Sequence, residues 1–275
     1  MSVVLALLSS VLWGTSDFLG GLHSRRRQAY AVVAGSQACG LLAIASVAVL
    51  TSAWRGPLGW LPWAVGAGVA GSAGLVCFYA ALAAGTMGVV SPIAALGAVV
   101  PLLVGVLAGE SPSALALSGI VIALAGAVAA SGPELRGGAG ARPLLLASLA
   151  GVAFGVALTL IARGARADAV MTLTGMRLTS VVLFGSAALA LRTVGGLTLR
   201  DVGPLAAIGC GDVAANLLFA LASQRGLLSV TSVLGSLYPV VTVLLARAVL
   251  HERLRPVQQV GVTGALLGVV LVSMG

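Results

Sequence analysis

Charge in this chain is confined almost entirely to short intervals. Between them run ten stretches of about twenty residues each that are apolar almost throughout: 2–22, 30–51, 62–84, 87–108, 114–131, 144–163, 169–191, 202–223, 229–250 and 256–274. A helix needs about 20 apolar residues to cross the hydrocarbon core of a bilayer, so the pattern predicts ten transmembrane helices. Composition agrees: 8% of the 275 residues are charged, whereas a soluble domain needs about 25% to solvate its surface. A membrane barrel would alternate apolar and polar residues, and runs such as Leu115 to Ala130 do not. The expected fold class is therefore an all-α integral membrane protein whose main partner is the lipid bilayer. The spans and their connections use the whole chain, leaving no soluble domain. The first span lacks a basic leader, contains Asp17 and is followed by Arg25-Arg26-Arg27, so it is read as a retained helix, not a cleaved signal.

The net charge of +8 does not indicate nucleic acid. All fifteen basic residues are arginines, most of them scattered over connections without interleaved aromatics, as membrane-flanking anchors are. Cys39, Cys77 and Cys210 stand singly inside spans, and His23 and His251 lie far apart, so no metal or disulfide site is expected. No phosphate-binding G-x-x-x-x-G-K-[ST] occurs and the chain has no lysine, which excludes ATP-driven pumping by this chain. No cofactor is called for.

The second half echoes the first. Trp13-Gly14 corresponds to Phe154-Gly155, Gln37 to Arg177, Gly68 to Gly209, Phe78 to Phe219, Gly97 to Gly235 and Pro101 to Pro239. Glu110, Gly119, Leu124, Gly126 and Ser131 line up with Glu252, Gly261, Leu266, Gly268 and Ser273. The offset stays near 140, giving repeats over residues 1–135 and 136–275. Five spans per repeat is an odd number, so the copies enter the membrane from opposite sides. Such inverted duplication is characteristic of secondary carriers, whose site lies near mid-membrane where the repeats meet.

Ionisable residues inside a span are costly and mark functional positions by default. Asp17 lies deep in span 1, Arg177 in the middle of span 7 and Asp212 in span 8; Asn216, four residues after Asp212, shares its helix face. On a functional reading Asp17 or Asp212 binds a proton or a cationic group, while Arg177 supplies a counter-charge or holds an anionic end of the cargo. On the alternative reading Arg177 and Asp212 form a permanent pair that pins two helices. Trp13, Tyr79 and Tyr238 fall on spans expected to line a cavity, where they stack on cargo, gate it or simply pack. Gln37 and Arg177, at equivalent positions, are both expected to face inward. Pro92, Pro101 and Pro239 interrupt spans 4 and 9; proline removes a backbone donor, and the bends free carbonyls that can line a cavity. Glu110 and Glu252, at the ends of those spans, are assigned to helix-end and loop contacts, with Arg253 as partner of Glu252.

Several motifs then converge on one family. Trp13-Gly14-Thr15-Ser16 in the first span, Phe78-Tyr79-Ala80-Ala81-Leu82 in the third, Tyr238-Pro239-Val240-Val241, Leu250-His251-Glu252-Arg253-Leu254 and the glycine-spaced last span resemble the EamA branch of the drug/metabolite transporter superfamily. The resemblance covers essentially the whole chain. It implies two five-helix repeats, helices 5 and 10 at the periphery, the others around a central cavity, and export of metabolites, amino acids or drugs across the inner membrane. Two departures stand out. Asp17 puts a carboxylate where many relatives carry a neutral group, and Gly109-Glu110-Ser111-Pro112 is a degraded copy of the later motif.

Connections after odd-numbered spans hold nine arginines against four in the alternate ones, which places both termini outside. The resemblance implies both termini in the cytoplasm. The side stays open, as does oligomeric state, for which a monomer suffices. The reading is a secondary carrier for a small organic solute, with protons as a coupling ion. Its rivals are a passive channel, a membrane scaffold and an intramembrane enzyme; for the last, no G-x-S-x-G, H-E-x-x-H or paired-aspartate chemistry is present.

Overall fold

The computed structural model describes residues 1–84, 87–130, 141–193, 195–250 and 256–274. Glu252 and Arg253, expected to pair, lie outside the described residues, as do His251, Arg136 and Ser131. Eleven helices are described: α1 (Ser2–Ser24), α2 (Ala29–Leu50), α3 (Leu61–Ala84), α4 (Met87–Ala95), α5 (Val99–Leu107), α6 (Ala114–Ala130), α7 (Ala141–Leu191), α8 (Val202–Ser223), α9 (Leu228–Gly235), α10 (Tyr238–Leu250) and α11 (Pro256–Met274). No strand occurs among the described residues.

The distribution of side chains is that of a protein whose solvent is hydrocarbon. Leu42 (71% exposed), Val121 and Val260 point outward, while Ser9, Ser36, Asp17 and Arg177 are buried. Segments 2–24, 29–50, 58–84, 142–190 and 199–223 are each long and apolar enough to cross a bilayer. α7 is two helices that meet at Asp168; at 1.5 Å per residue the parts before and after it are roughly 40 and 35 Å long, each enough to cross a hydrocarbon core of about 30 Å. The chain is an integral, multi-pass, all-α membrane protein.

Three expectations about span boundaries change. The connection expected between spans 6 and 7 contracts to Asp168, the one residue of α7 with extended backbone (φ −163°, ψ 117°). Its carboxylate accepts from the amide of Met171 at 2.8 Å and caps the second half of α7. Span 4 is two helices, α4 and α5, joined by a 3₁₀ turn at Leu96–Ala98. Span 9 is likewise α9 and α10, separated at Ser236 and Leu237. These breaks fall one turn before Pro101 and Pro239, because a proline cannot donate to the carbonyl four residues back, here that of Gly97 or Gly235. Pro92 does not interrupt its helix; it lies inside α4.

Helices from the two halves interleave. α1 packs on α8, α9 and α10; α3, α4 and α5 pack on α7; α2 touches both α7 and α8; and α6 pairs with α11. Glycine sets the closest approaches, and they come in reciprocal pairs. A Cβ on Gly68 would sit 2.7 Å from the carbonyl oxygen of Met176, and one on Gly209 would overlap that of Ser36. A Cβ on Gly126 would strike the backbone of Ala265, and one on Gly268 that of Ala123. Ring contacts repeat the arrangement: Trp13 lies 5.7 Å from Phe219, and Phe154 lies 5.5 Å from Phe78.

Candidate functional site

The interleaved helices enclose a cavity of about 650 Å³, its open mouth included. Its wall draws on both sequence halves: Trp13 and Asp17 from α1, Leu75 from α3, the region around Ala95 and Ala98, Phe154 through Arg177 from α7, Asp212 and Asn216 from α8, and Gly235 to Tyr238 at the second helix break. Neither α6 nor α11 contributes to it. The wall is largely apolar, and the helix breaks bring Ala98, Gly235 and Ser236 to its surface.

One charged network closes one side. Nη2 of Arg177 lies 2.8 Å from Oδ2 of Asp212. Nη1 of Arg177 donates to Oε1 of Gln37 in a short contact. Trp13 donates its indole N–H to Oδ1 of Asp212 at 3.2 Å, and Asn216 donates to the same oxygen at 3.0 Å and to the Asp212 carbonyl at 2.7 Å. The guanidinium is 1% exposed, and its Nε faces α2, 3.7 Å from where a Cβ on Gly40 would stand. Four helical segments (α1, α2, the second half of α7, and α8) thus meet at one ion pair.

Asp17 stands apart from this network. It is 9% exposed, lines the cavity and makes no hydrogen bond among the described residues. It shares an electrostatic environment with Asp212 on α8, Tyr79 on α3 and Tyr238 on α10. Ionised, Asp17 and Asp212 carry two negative charges against the single positive charge of Arg177, so the site has one negative charge in excess.

The remaining candidate residues divide. Tyr238 lines the cavity and donates its hydroxyl to the carbonyl of Ser91 at 3.3 Å, bridging α10 to α4. Gln37 and Tyr79 stand one layer behind the wall: Gln37 is spent on Arg177, and the Tyr79 ring abuts Gly20 of α1. Both were expected at the interior and both are buried, but neither lines the cavity. Pro101 and Pro239 act at a distance, through the breaks they impose one turn earlier. Glu110 accepts from the amides of Leu228 and Ser229 at 2.7 and 2.8 Å and from the Ser229 hydroxyl at 2.7 Å, capping α9.

Two features escaped the reading of residues. Phe154 lines the cavity, a place foreshadowed by its correspondence with Trp13. Phe78, fully buried, is the hub of an aromatic cluster with Tyr79, Phe154 and Tyr238, at centroid distances of 6.1, 5.5 and 6.2 Å.

A solved crystal structure, described only as that of a protein, has a TM-score of 0.80 to this fold at 19% identity, over 99% of this chain and 96% of the other. No protein of curated function matches the sequence. The sequence pattern of the EamA-like transporter family matches twice, over residues 1–132 and again over 141–274. Two matches that together span nearly the whole chain make this protein a member of the EamA-like transporter family.

Proposed function

We propose that the protein is a secondary transporter that exports a small organic solute across the cell membrane by alternating access, with Asp17 as the site where a proton couples to transport. Membership of the EamA-like family supports a transporter with a small-molecule substrate. The observation that carries the finer reading is Asp17 itself: a carboxylate nine-tenths buried in a cavity built from both halves, with no bonded donor among the described residues. A change in solvent access changes the proton affinity of such a group.

The architecture proposed with it is ten spans in two five-helix repeats, 1–135 and 136–275, inserted in opposite directions. Reciprocal contacts support that arrangement: Gly68 on Met176 with Gly209 on Ser36, and Gly126 on Ala265 with Gly268 on Ala123. Each is the other shifted by about one repeat. The broken helices at Gly97 and Gly235 supply paired bends at which the two ends of the cavity open in turn.

Purified protein in proteoliposomes, loaded with a mixture of small metabolites, tests this reading. A carrier gives saturable efflux that accelerates when a pH gradient is imposed, and Asp17→Asn abolishes the pH response while the folded protein is retained. Non-saturating flux would make the protein a channel. No flux of any solute would make it a scaffold.

A further inference from the structure

The transporter reading leaves the cargo unnamed, and the charge arrangement narrows it. Arg177 is poorly placed to serve an anionic group: it is 1% exposed, Nη1 donates to Gln37, Nη2 is ion-paired with Asp212, and Nε, which has no hydrogen-bond partner among the described residues, lies against α2. Asp212 is saturated by Arg177, Trp13 and Asn216. Among the described residues that line the cavity, the charged group left to meet a ligand is Asp17, and its charge is negative.

The chemistry around Asp17 separates organic from inorganic cations. Hard metal ions such as Ca²⁺ take six to eight oxygen ligands, typically several of them carboxylates or carbonyls. Among the described residues no group of three or more Asp, Glu, His or Cys side chains could hold a metal. The cavity instead sets the unpaired carboxylate of Asp17, beside the Asp212–Arg177 pair, among Leu75, Phe154, Leu158, Ile161 and the rings of Trp13 and Tyr238. Aromatic faces attract ammonium groups through the ring quadrupole, and the apolar wall rewards burial of a hydrocarbon body.

Resting on the transporter reading, we infer that the cargo is an organic monocation, a protonated amine on an apolar or aromatic body, which exchanges for one proton at Asp17. The charges balance: the carboxylate binds either the ammonium or a proton, so one positive charge crosses in each direction and the cycle is electroneutral. Zwitterionic amino acids are disfavoured, because their carboxylate meets no free cation among the described residues that line the cavity. The ionisable groups that face Asp17 from neighbouring helices are Asp212 on α8, Tyr79 on α3 and Tyr238 on α10, with Arg177 on α7 held by Asp212.

A matched series tests the charge rule with one body: phenethylamine, 2-phenylethanol, 3-phenylpropionate and phenylalanine, titrated calorimetrically into the purified full chain. Phenethylamine is expected to bind at pH 8 at least tenfold more tightly than the other three. Its apparent affinity should fall about tenfold per pH unit once protons compete for the carboxylate. Asp17→Asn removes the preference for the amine over the alcohol, and Asp17→Glu keeps it. In proteoliposomes, pH-driven phenethylamine exchange should be unaffected when valinomycin and potassium clamp the membrane potential at different values. Equal or tighter binding of phenylalanine or phenylpropionate overturns the inference, as does an amine affinity unchanged by Asp17→Asn or by pH, or binding of none of the four. Should Asp17→Asn fail to fold, the wild-type pH series decides alone. Coupled flux of phenylalanine without the amine would remove the cargo class and leave the transporter reading standing; absence of flux for every solute would remove both.

Discussion

Nε2 of His23 stands 3.0 Å from Oδ1 of Asp201, fastening the end of α1 to the 3₁₀ turn Leu199–Asp201 that leads into α8. Arg27 reaches the other carboxylate oxygen at 3.1 Å. The same two helices are joined again three turns along α8 by the bond from Trp13 to Asp212. The helices that carry both cavity carboxylates are therefore tied at two levels.

This tie has a pH signature. The Thr198 hydroxyl and backbone amide, with Arg27, lower the Asp201 carboxyl to about 2. A carboxyl lowered on folding adds stability above its unfolded value near 3.9 and loses it as pH falls through the folded value. The α1–α8 junction should be insensitive to this group above pH 4 and should loosen between about pH 4 and 2. Hydrogen exchange at residues 24–27 and 198–202 measures it, and Asp201→Asn should give the loosened pattern at neutral pH.

The Arg177–Asp212 pair should behave as a buried pair does when broken. Removing one partner strands the other charge, at a cost of about 3–5 kcal/mol. Arg177→Met alone should therefore destabilise more than Arg177→Met combined with Asp212→Asn, which keeps an acceptor for Trp13 and Asn216. Thermal unfolding in detergent of the two singles and the double gives the comparison.

Glu110 should matter as a cap. Its carboxylate satisfies two free amides at the start of α9, a role worth about 0.5–2 kcal/mol. Glu110→Ala should lower the unfolding temperature, and Glu110→Gln should recover part of the loss through its remaining acceptor oxygen.

Substituting the close-approach glycines should separate packing from propensity. Gly209→Ala drives a methyl into the Ser36 carbonyl, an overpacking expected to cost about 1–3 kcal/mol. Gly185, also inside a helix, has nothing within 4 Å of an added Cβ. Gly185→Ala should stabilise by roughly 0.5–1 kcal/mol through helix propensity alone. Thermal melts of both variants check the contrast.

Membrane character was legible because lipid demands long apolar helices, a demand that leaves a plain trace in sequence. The charged residues of the site were legible for a related reason: a charge inside a span is rare enough that Asp17, Arg177 and Asp212 drew notice individually. The Arg177–Asp212 pair stood as one of two readings of the sequence, and the choice between them was not legible, since helix rotation decides the contact and the spans are apolar all round. The break positions were displaced by one turn because proline acts on a carbonyl four residues away. The role of Phe78 as an aromatic hub was not legible because an apolar ring within an apolar span carries no contrast. The His23–Asp201 tie joins residues 178 positions apart, across elements that carry no shared pattern.

The reciprocal glycine contacts bear on biosynthesis. Ser36 waits for Gly209, a residue synthesised 173 positions later, and Gly68 waits for Met176. At translation rates of about 5–20 residues per second, α2 spends roughly ten to thirty seconds in the bilayer before its closest neighbour is made. The amino-terminal half on its own is an unfinished object, with open seams where later helices belong, and a ribosome that stalls between the halves would leave in the membrane a fragment that quality-control proteases can recognise.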